Sequence, residues 1–446
     1  MTRITHVVKR TGAVVPFTKD RIANAIYRAA VAVGGRDRAI AERLADQVVA
    51  ALETITPLDH IPTVEEIQDV VEKTLIENGH ARTAKAYILY RDARARSRRA
   101  RAERLAQPSN TIPWRKLWEV LDWAVEHDLH TIERLNGRIA RGEFSEIVRE
   151  TDHAYNDDIT TAAERIGERQ ERLRLVIIAG PSSSGKTTTT TKLAHLLTRM
   201  GLRLVPLTVD HYFFDLELHP RDEHGDYDFE TPQALDLALI NEHLVRLIAG
   251  AEVKIPFYDF KTGKRHFDRT PLRIGPRDLI LIDSLHGLFP AMTAGIEDER
   301  KFKLYIEPLL QMKGPDGEYV RWTDLRLMRR MERDASHRAY DRQQTLEHWH
   351  YVRASETRNI IPYVNKTDYI VNSGLPYELP VMRARLLPYF EQWAELYRDD
   401  PLRGDAAMRA QRVHRLLSAV TPVTDETPIP PDSLLREFIG GSCYAY

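Results

Sequence analysis

The sequence holds one cysteine, Cys443, so it cannot form an intrachain disulfide, and a reducing compartment is expected. It has no apolar run approaching the roughly eighteen residues of a membrane-spanning helix. Net charge is also missing. Its 64 Lys and Arg oppose 65 Asp and Glu, which excludes a global attraction to nucleic acid or to an anionic membrane. The opening residues MTRITHVVKR lack the apolar stretch of a signal peptide, so a soluble cytoplasmic protein is expected. What is present is a chain of 446 residues, room for about two or three domains.

The most informative stretch is GPSSSGKT at residues 180–187, which fits G-x-x-x-x-G-K-[ST]. Its flanks are those the motif requires. Residues 173–179 are a short apolar, β-branched run that reads as a buried parallel strand. After the loop, Leu193, Leu196 and Leu197 recur at helical spacing. Strand, glycine loop and helix together aim backbone N–H groups and a helix N-terminus at an anion. Gly180, Pro181, Ser182, Ser183, Ser184, Gly185, Lys186, Thr187 and Thr188 are therefore the expected cradle for ATP phosphates. Lys186 is expected to reach the β/γ-phosphates, and the Thr187 hydroxyl to bind Mg²⁺.

From residue 172 to about 396, strands and helices alternate, the pattern of a parallel sheet with helices on both faces. LILIDS at 279–284 is an apolar strand ending in Asp283, a second expected Mg²⁺ contact. LTVDHYFF places Asp210 at the end of the strand that follows the phosphate-loop helix. A carboxylate there can take the proton of an attacking hydroxyl. Arg326, Arg329, Arg330, Arg333, Arg338 and Arg342 crowd one helix and its exit, and read as a lid that closes over a triphosphate. NKTD at 365–368 mimics the guanine-reading element of GTPases, but it precedes its apolar run and so lies at the wrong end of the strand.

Three further segments complete the chain. Residues 1–98 read as a β-hairpin followed by helices, a small α+β unit. Residues 99–171 read as a helical linker region. There RDARARSRRARAERL lacks interleaved aromatics and reads as a solvated basic face, and His153, Asp157 and Asp158 as solvated rather than metal-binding. Residues 397–446 read as a helical C-terminal extension.

VVKRTGAVVPF near the start and AKAYILYR near residue 90 resemble the ATP-cone domain, the regulatory nucleotide-binding module of ribonucleotide reductases and their transcriptional repressor. That resemblance implies that Lys9, Arg10, Arg21 and Lys85 surround nucleotide phosphates, that Gln68 lies near the base, and that ATP or dATP acts as effector. The order GPSSSGKT, VDHYFF, YDFETPQALDLALINEHL, VKIPFYDFKTGKR, LILIDSLHGL, RLMRRMERD and DYIVNSGLPYEL resembles the uridine kinase branch of the phosphoribulokinase/uridine kinase family. It implies ATP- and Mg²⁺-dependent phosphorylation of a nucleoside 5′-hydroxyl, with Asp210 as base and Lys186, Arg333 and Arg338 in the catalytic set. It also implies Arg329, Arg330 and Arg342 around the nucleotide, and Phe213, Phe229, Glu230, Tyr258 and Phe260 around the acceptor. The chain departs from that family at Gly263, where uridine–cytidine kinases carry a base-reading histidine, at Glu230 in place of Asp, and at Asp283–Ser284–Leu285 in place of Glu-Gly-Ile. A sugar or polyol acceptor therefore stays open, as does a regulatory protein that transfers nothing, and so does assembly into a homo-oligomer.

Overall fold

The run LVIIA has no polar face, and a strand of that kind is stable only where both faces are covered. In the computed structural model it forms β3 (Leu175–Ala179), buried at every position, in the middle of a five-stranded sheet. The structure describes residues 3–9, 14–57, 60–92, 111–220, 231–337, 341–398, 400 and 403–444. Residues 1–109 with 397–404 form one unit, and residues 110–396 with 405–446 another.

In the smaller unit, β1 (His6–Val8) pairs antiparallel with β2 (Val14–Pro16), giving the expected hairpin. Three helices follow: α1 (Lys19–Val31), α2 (Arg38–Ile55) and α3 (Val64–Glu77); residues 81–92 form a fourth, α4. Helix α3 begins with a reciprocal capping box, in which the Thr63 hydroxyl accepts from Glu66 N–H while the Glu66 carboxylate accepts from Thr63 N–H. Ile26, Leu44, Val48, Leu52, Val71 and Leu75 form this unit's own core.

The larger unit starts with α5 (Trp114–Glu126), α6 (Ile132–Ala140) and α7 (Phe144–Glu168). These helices correct the reading of 99–171 as a linker. In its described part the segment is a layer of this unit, with Ile147, Tyr155, Ile159 and Ile166 of α7 buried. After β3 come α8 (Lys186–Arg199), β4 (Arg203–Pro206), α9 (Leu237–Ile248), β5 (Val253–Asp259), β6 (Lys264–Leu272), β7 (Asp278–Asp283) and β8 (Lys301–Glu307). Then follow α10 (Trp322–His337), α11 (Arg342–Asn359), β9 (Tyr369–Asn372), α12 (Glu378–Leu396), α13 (Gly404–Ser418) and the short α14 (Arg436–Ile439). The sheet order is β4-β7-β3-β8-β9, and every adjacent pair is parallel. All carboxyl ends therefore lie on one edge, where an open α/β sheet binds its ligands. NKTD precedes β9, at the opposite edge, where Asp368 accepts from Lys303 N–H at 2.7 Å and pairs with Arg169 at 2.8 Å. Strands β5 and β6 form a separate antiparallel hairpin that the sequence reading did not resolve. Among the described residues no helix is long and apolar enough to cross a membrane.

Candidate active site

The phosphate loop joins β3 to α8. Gly185 takes φ 90°, a left-handed conformation that glycine adopts without steric penalty, and α8 begins at the next residue. Ser183 is also left-handed, at φ 60°, an uncommon conformation for a residue with a β-carbon and one typical of functional turns. The hydroxyl oxygens of Ser183 and Ser184 are buried with no hydrogen-bond partner among the described residues. Such groups normally find partners, and orphans inside a loop of this shape suit an incoming anion. Lys186 Nζ donates to the carbonyls of Gly180 at 2.9 Å and Pro181 at 3.2 Å, so the ammonium is folded over the loop.

Two carboxylates share this edge. Asp283 ends β7 and accepts from the Thr190 hydroxyl at 3.2 Å. Asp210 lies in a 3₁₀ turn, Val209–Tyr212, just beyond β4 rather than in the strand. Both residues are exposed to solvent, although neighbouring protein atoms crowd their carboxyl groups. Desolvation raises the Asp283 pKa, opposed by the charge of Lys186 and by the Thr190 hydrogen bond. Desolvation also raises that of Asp210, opposed by His211 and then Lys186. Lys186 is shifted down by desolvation, against the attraction of Asp283. The three groups thus feel one another's charge. The Thr187 hydroxyl and Asp283 carboxylate are hard oxygen donors. Among the described residues no cluster of three or more His, Cys, Asp or Glu could hold a metal alone. A sparse oxygen set of this kind fits Mg²⁺, which relies on substrate phosphates and water for its remaining ligands.

The arginines divide into two groups. Arg326 is fully buried. It pairs with Glu356 at 2.5 and 2.8 Å, and donates to the Ser182 carbonyl at 3.1 Å. Arg330 reaches the Ser182 hydroxyl at 3.4 Å and pairs with Asp334 at 3.2 Å. Arg333 lies 3.6 Å from Asp334, and its charge acts on Lys186. Arg329, by contrast, is fully buried in a bidentate pair with Glu378 at 2.6 and 2.9 Å, and donates to the Ser373 carbonyl at 2.6 Å. Arg342 pairs with Glu332 at 3.0 Å and stacks over Tyr389. The complete burial of Arg329 in this pair corrects its assignment to a closing lid, whereas Arg342 stays partly exposed beside Glu332 and Tyr389. Arg338 lies outside the described residues.

Of the residues expected around the acceptor, Phe213, Tyr258 and Phe260 come together. Their ring centroids are 5.5 Å apart for Phe213 and Tyr258, 6.1 Å for Phe213 and Phe260, and 5.0 Å for Tyr258 and Phe260. Phe260 is 62% exposed, leaving an aromatic surface at the hairpin end. His219 stacks on Tyr258 at 6.1 Å. Gly263 takes φ 66°, and a β-carbon there would lie 2.8 Å from the Leu216 β-carbon. No side chain fits that place without rearrangement, so the missing histidine is a structural fact as well as a sequence one. Phe229 and Glu230 lie outside the described residues.

A uridine kinase of Chloroflexus aggregans is 30% identical over 179 residues, 39% of this chain and 74% of that protein. One from Mycoplasma genitalium is 31% identical over 160 residues, 36% of this chain and 66% of that protein. Residues 175–378 match the phosphoribulokinase/uridine kinase family. The chain belongs to the phosphoribulokinase/uridine kinase family. It is a small-molecule kinase with a hydroxyl acceptor, and ATP is the phosphate donor the family implies. Residues 5–96 match the ATP cone domain. The chain is also 49% identical over 96 residues to a vitamin B12-dependent ribonucleoside-diphosphate reductase of Thermoplasma acidophilum, 20% of this chain and 12% of that protein.

In the ATP-cone unit of this kinase, Lys9 directly follows β1, Arg21 lies in the first turn of α1, Gln68 on α3 and Lys85 on α4. Lys9, Arg21 and Lys85 are exposed and Gln68 is half-buried. Val8 bridges to Thr63, which brings the end of β1 against the start of α3. Arg10 lies outside the described residues.

Sequence reasoning missed several side chains around the kinase's phosphate loop. Tyr155 of α7 donates to the Thr189 hydroxyl at 2.6 Å, which in turn donates to the Gly185 carbonyl at 2.8 Å. The threonine run after Lys186 therefore includes a brace for the loop. Glu307, ending β8, accepts from Tyr305 at 2.7 Å and faces Arg326 at 3.6 Å. Glu437 accepts from Thr188 across 249 positions. Only the strand-end position of Glu307 carried a signal.

Proposed function

We propose that this kinase transfers the γ-phosphate of ATP to the 5′-hydroxyl of a nucleoside, under an N-terminal unit that senses nucleotide. One observation carries the reading: Lys186, Asp283 and Asp210 share the carboxyl edge of the sheet beside a loop with orphaned donors. The acceptor oxygen attacks the γ-phosphorus as its proton passes to an Asp210 carboxylate oxygen. The bond between the γ-phosphorus and the bridging oxygen breaks, and ADP leaves. Crowding by the surrounding protein, which raises the Asp210 pKa, helps here, since a base is most effective when its pKa is moved toward neutral pH. Thr187 and Asp283 would hold Mg²⁺, which when bound offsets charge developing on the phosphates. Lys186, Arg330 and Arg333 supply fixed positive charge around the loop, and Phe213, Tyr258 and Phe260 offer faces for a base to stack on.

A second reading draws on Gly263. With Leu216 closing the place of the pyrimidine-reading histidine, a sugar or polyol hydroxyl is the alternative acceptor. ADP release measured across nucleosides, sugars and polyols tests both. Turnover confined to nucleosides supports the first, turnover confined to sugars or polyols the second, and none with any acceptor favours nucleotide sensing without transfer.

A further inference from the structure

The first turn of α8 should present N–H groups to a nucleotide phosphate. One of these already has an anionic partner. Glu437 Oε2 accepts from Thr188 N–H at 3.1 Å and from the Thr188 hydroxyl at 2.7 Å. Thr188 is fully buried and Glu437 is 4% exposed, so the contact is sealed from water. The same charge acts on Lys186 and Asp283. A carboxylate at a helix N-terminus is favourable for the reasons that a phosphate is.

Glu437 is held in place by its neighbours. Leu434, Leu435 and Phe438 are fully buried, and Ile439 is 7% exposed. The Arg329 guanidinium lies over the Phe438 ring at 5.2 Å. Leu434 occupies the space that a β-carbon on Gly185 would need. The backbone of the C-terminal segment is thus anchored against the phosphate loop. Displacing the carboxylate therefore calls on the Glu437 side-chain torsions rather than on that backbone.

We infer that Glu437 is a tethered phosphate mimic, which ATP must displace from Thr188 in order to bind. This rests on the reading of the loop as the ATP site. A phosphate and a carboxylate cannot share one buried N–H group, and their like charges repel. The apparent affinity for ATP is then reduced by the fraction of molecules in which Glu437 is closed. The carboxylate also holds the loop before nucleotide arrives, since it accepts from both the N–H and the hydroxyl of Thr188.

Glu437→Gln isolates the charge. Both hydrogen bonds go to one oxygen, so a glutamine carbonyl can accept them, but as a neutral and weaker competitor. Calorimetric titration of the full chain is expected to show ATP binding on the order of ten- to a hundredfold tighter than in wild type. Inorganic tripolyphosphate should gain similarly, because the competition is for phosphate and not for the base. Should Glu437→Gln fail to unfold cooperatively, Glu437→Asp answers the same question, being too short to reach Thr188 from the anchored backbone. Equal or weaker ATP binding in a folded variant overturns the mimic and leaves the ATP site standing. Absence of ATP binding in wild type and variants alike removes both.

Discussion

The two regions of this chain that we propose to face nucleotide are built in opposite ways. At the phosphate loop the cation is folded against carbonyls, Ser183, Ser184, Thr188 and Thr189 are buried, and the buried Arg326–Glu356 pair adjoins the loop. In the ATP-cone unit the matching cations, Lys9, Arg21 and Lys85, stand exposed on separate elements. Fixed charges in a dry setting act strongly on a developing transition state and need no reorganisation when the reaction occurs. Exposed lysines and arginines are screened and mobile, which suits reversible holding. If the ATP-cone unit holds nucleotide as we propose, one chain arranges the same ligand chemistry for reaction around a buried loop and for sensing on exposed side chains.

The sharpest way to break the comparison is to remove the group that only the kinase site has. Asp210→Asn is expected to lower kcat by roughly 10²–10⁴-fold, the usual contribution of a positioned base. ATP affinity by titration should stay near wild type. If turnover is unchanged when chemistry limits the rate, Asp210 is not the base.

The next largest effect should be on stability and should separate the arginines. Arg329→Ala leaves Glu378 buried without its bidentate partner, and breaking a buried pair costs about 3–5 kcal/mol. A clear fall in Tm is expected. Arg333→Ala should instead lower kcat far more than it raises the KM for ATP, as a group aimed at transition-state charge does. Equal losses of Tm in both variants would make the two arginines alike and erase the distinction.

Burial on α7 also leaves a pH signature. Asp152 of α7 accepts from Tyr377 at 2.7 Å and Ser433 at 3.4 Å, while its other oxygen has no partner among the described residues. Desolvation raises its pKa from 3.8 to about 6. The neutral carboxyl therefore contributes stability that is full below pH 3.8 and lost as pH rises through about 6. Asp152→Asn keeps an uncharged group there at every pH. It should stabilise the protein at pH 7.5 by up to about 3 kcal/mol, with the gain disappearing near pH 3.8. A gain in Tm that is the same at both pH values would place its cause elsewhere.

How far the sequence disclosed this site depends on the range of each contact. Gly180 to Thr187 were readable because strand, loop and helix are contiguous, and Asp283 because it ends an apolar run. NKTD could be set aside because motif order reports which edge of a sheet it occupies. Arg329 was misread because helical spacing shows which residues share a segment but not which face finds Glu378, 49 positions away. Tyr155 and Glu437 were invisible for the same reason. They meet Thr189 and Thr188 through packing of α7 and the C-terminal segment, which no local pattern encodes. The β5–β6 hairpin was obscured because Pro256 and a register shift between Ile255 and Phe257 interrupt its alternation.

The smallest expected effect belongs to the ATP-cone unit, and it tests the other half of the comparison. Lys9 and Arg21 are exposed, so replacing them should leave folding nearly unchanged. If they hold phosphate, Lys9→Ala/Arg21→Ala should weaken a second class of ATP or dATP site in the full chain. It should leave the kinase KM for ATP alone when measured below the effector range. Coupling between sites is typically about 1–3 kcal/mol, so the nucleotide response of activity should flatten by about 5–150-fold at most. Binding and activity must be measured together. By linkage, a nucleotide that shifts affinity for the acceptor must have its own affinity shifted by the acceptor to the same degree. A double variant with an unaltered nucleotide response and unaltered binding stoichiometry would mean that these cations face only solvent. Nucleotide sensing would then have no seat among them, and the contrast drawn here between a reacting site and a holding site would reduce to one site and a fold.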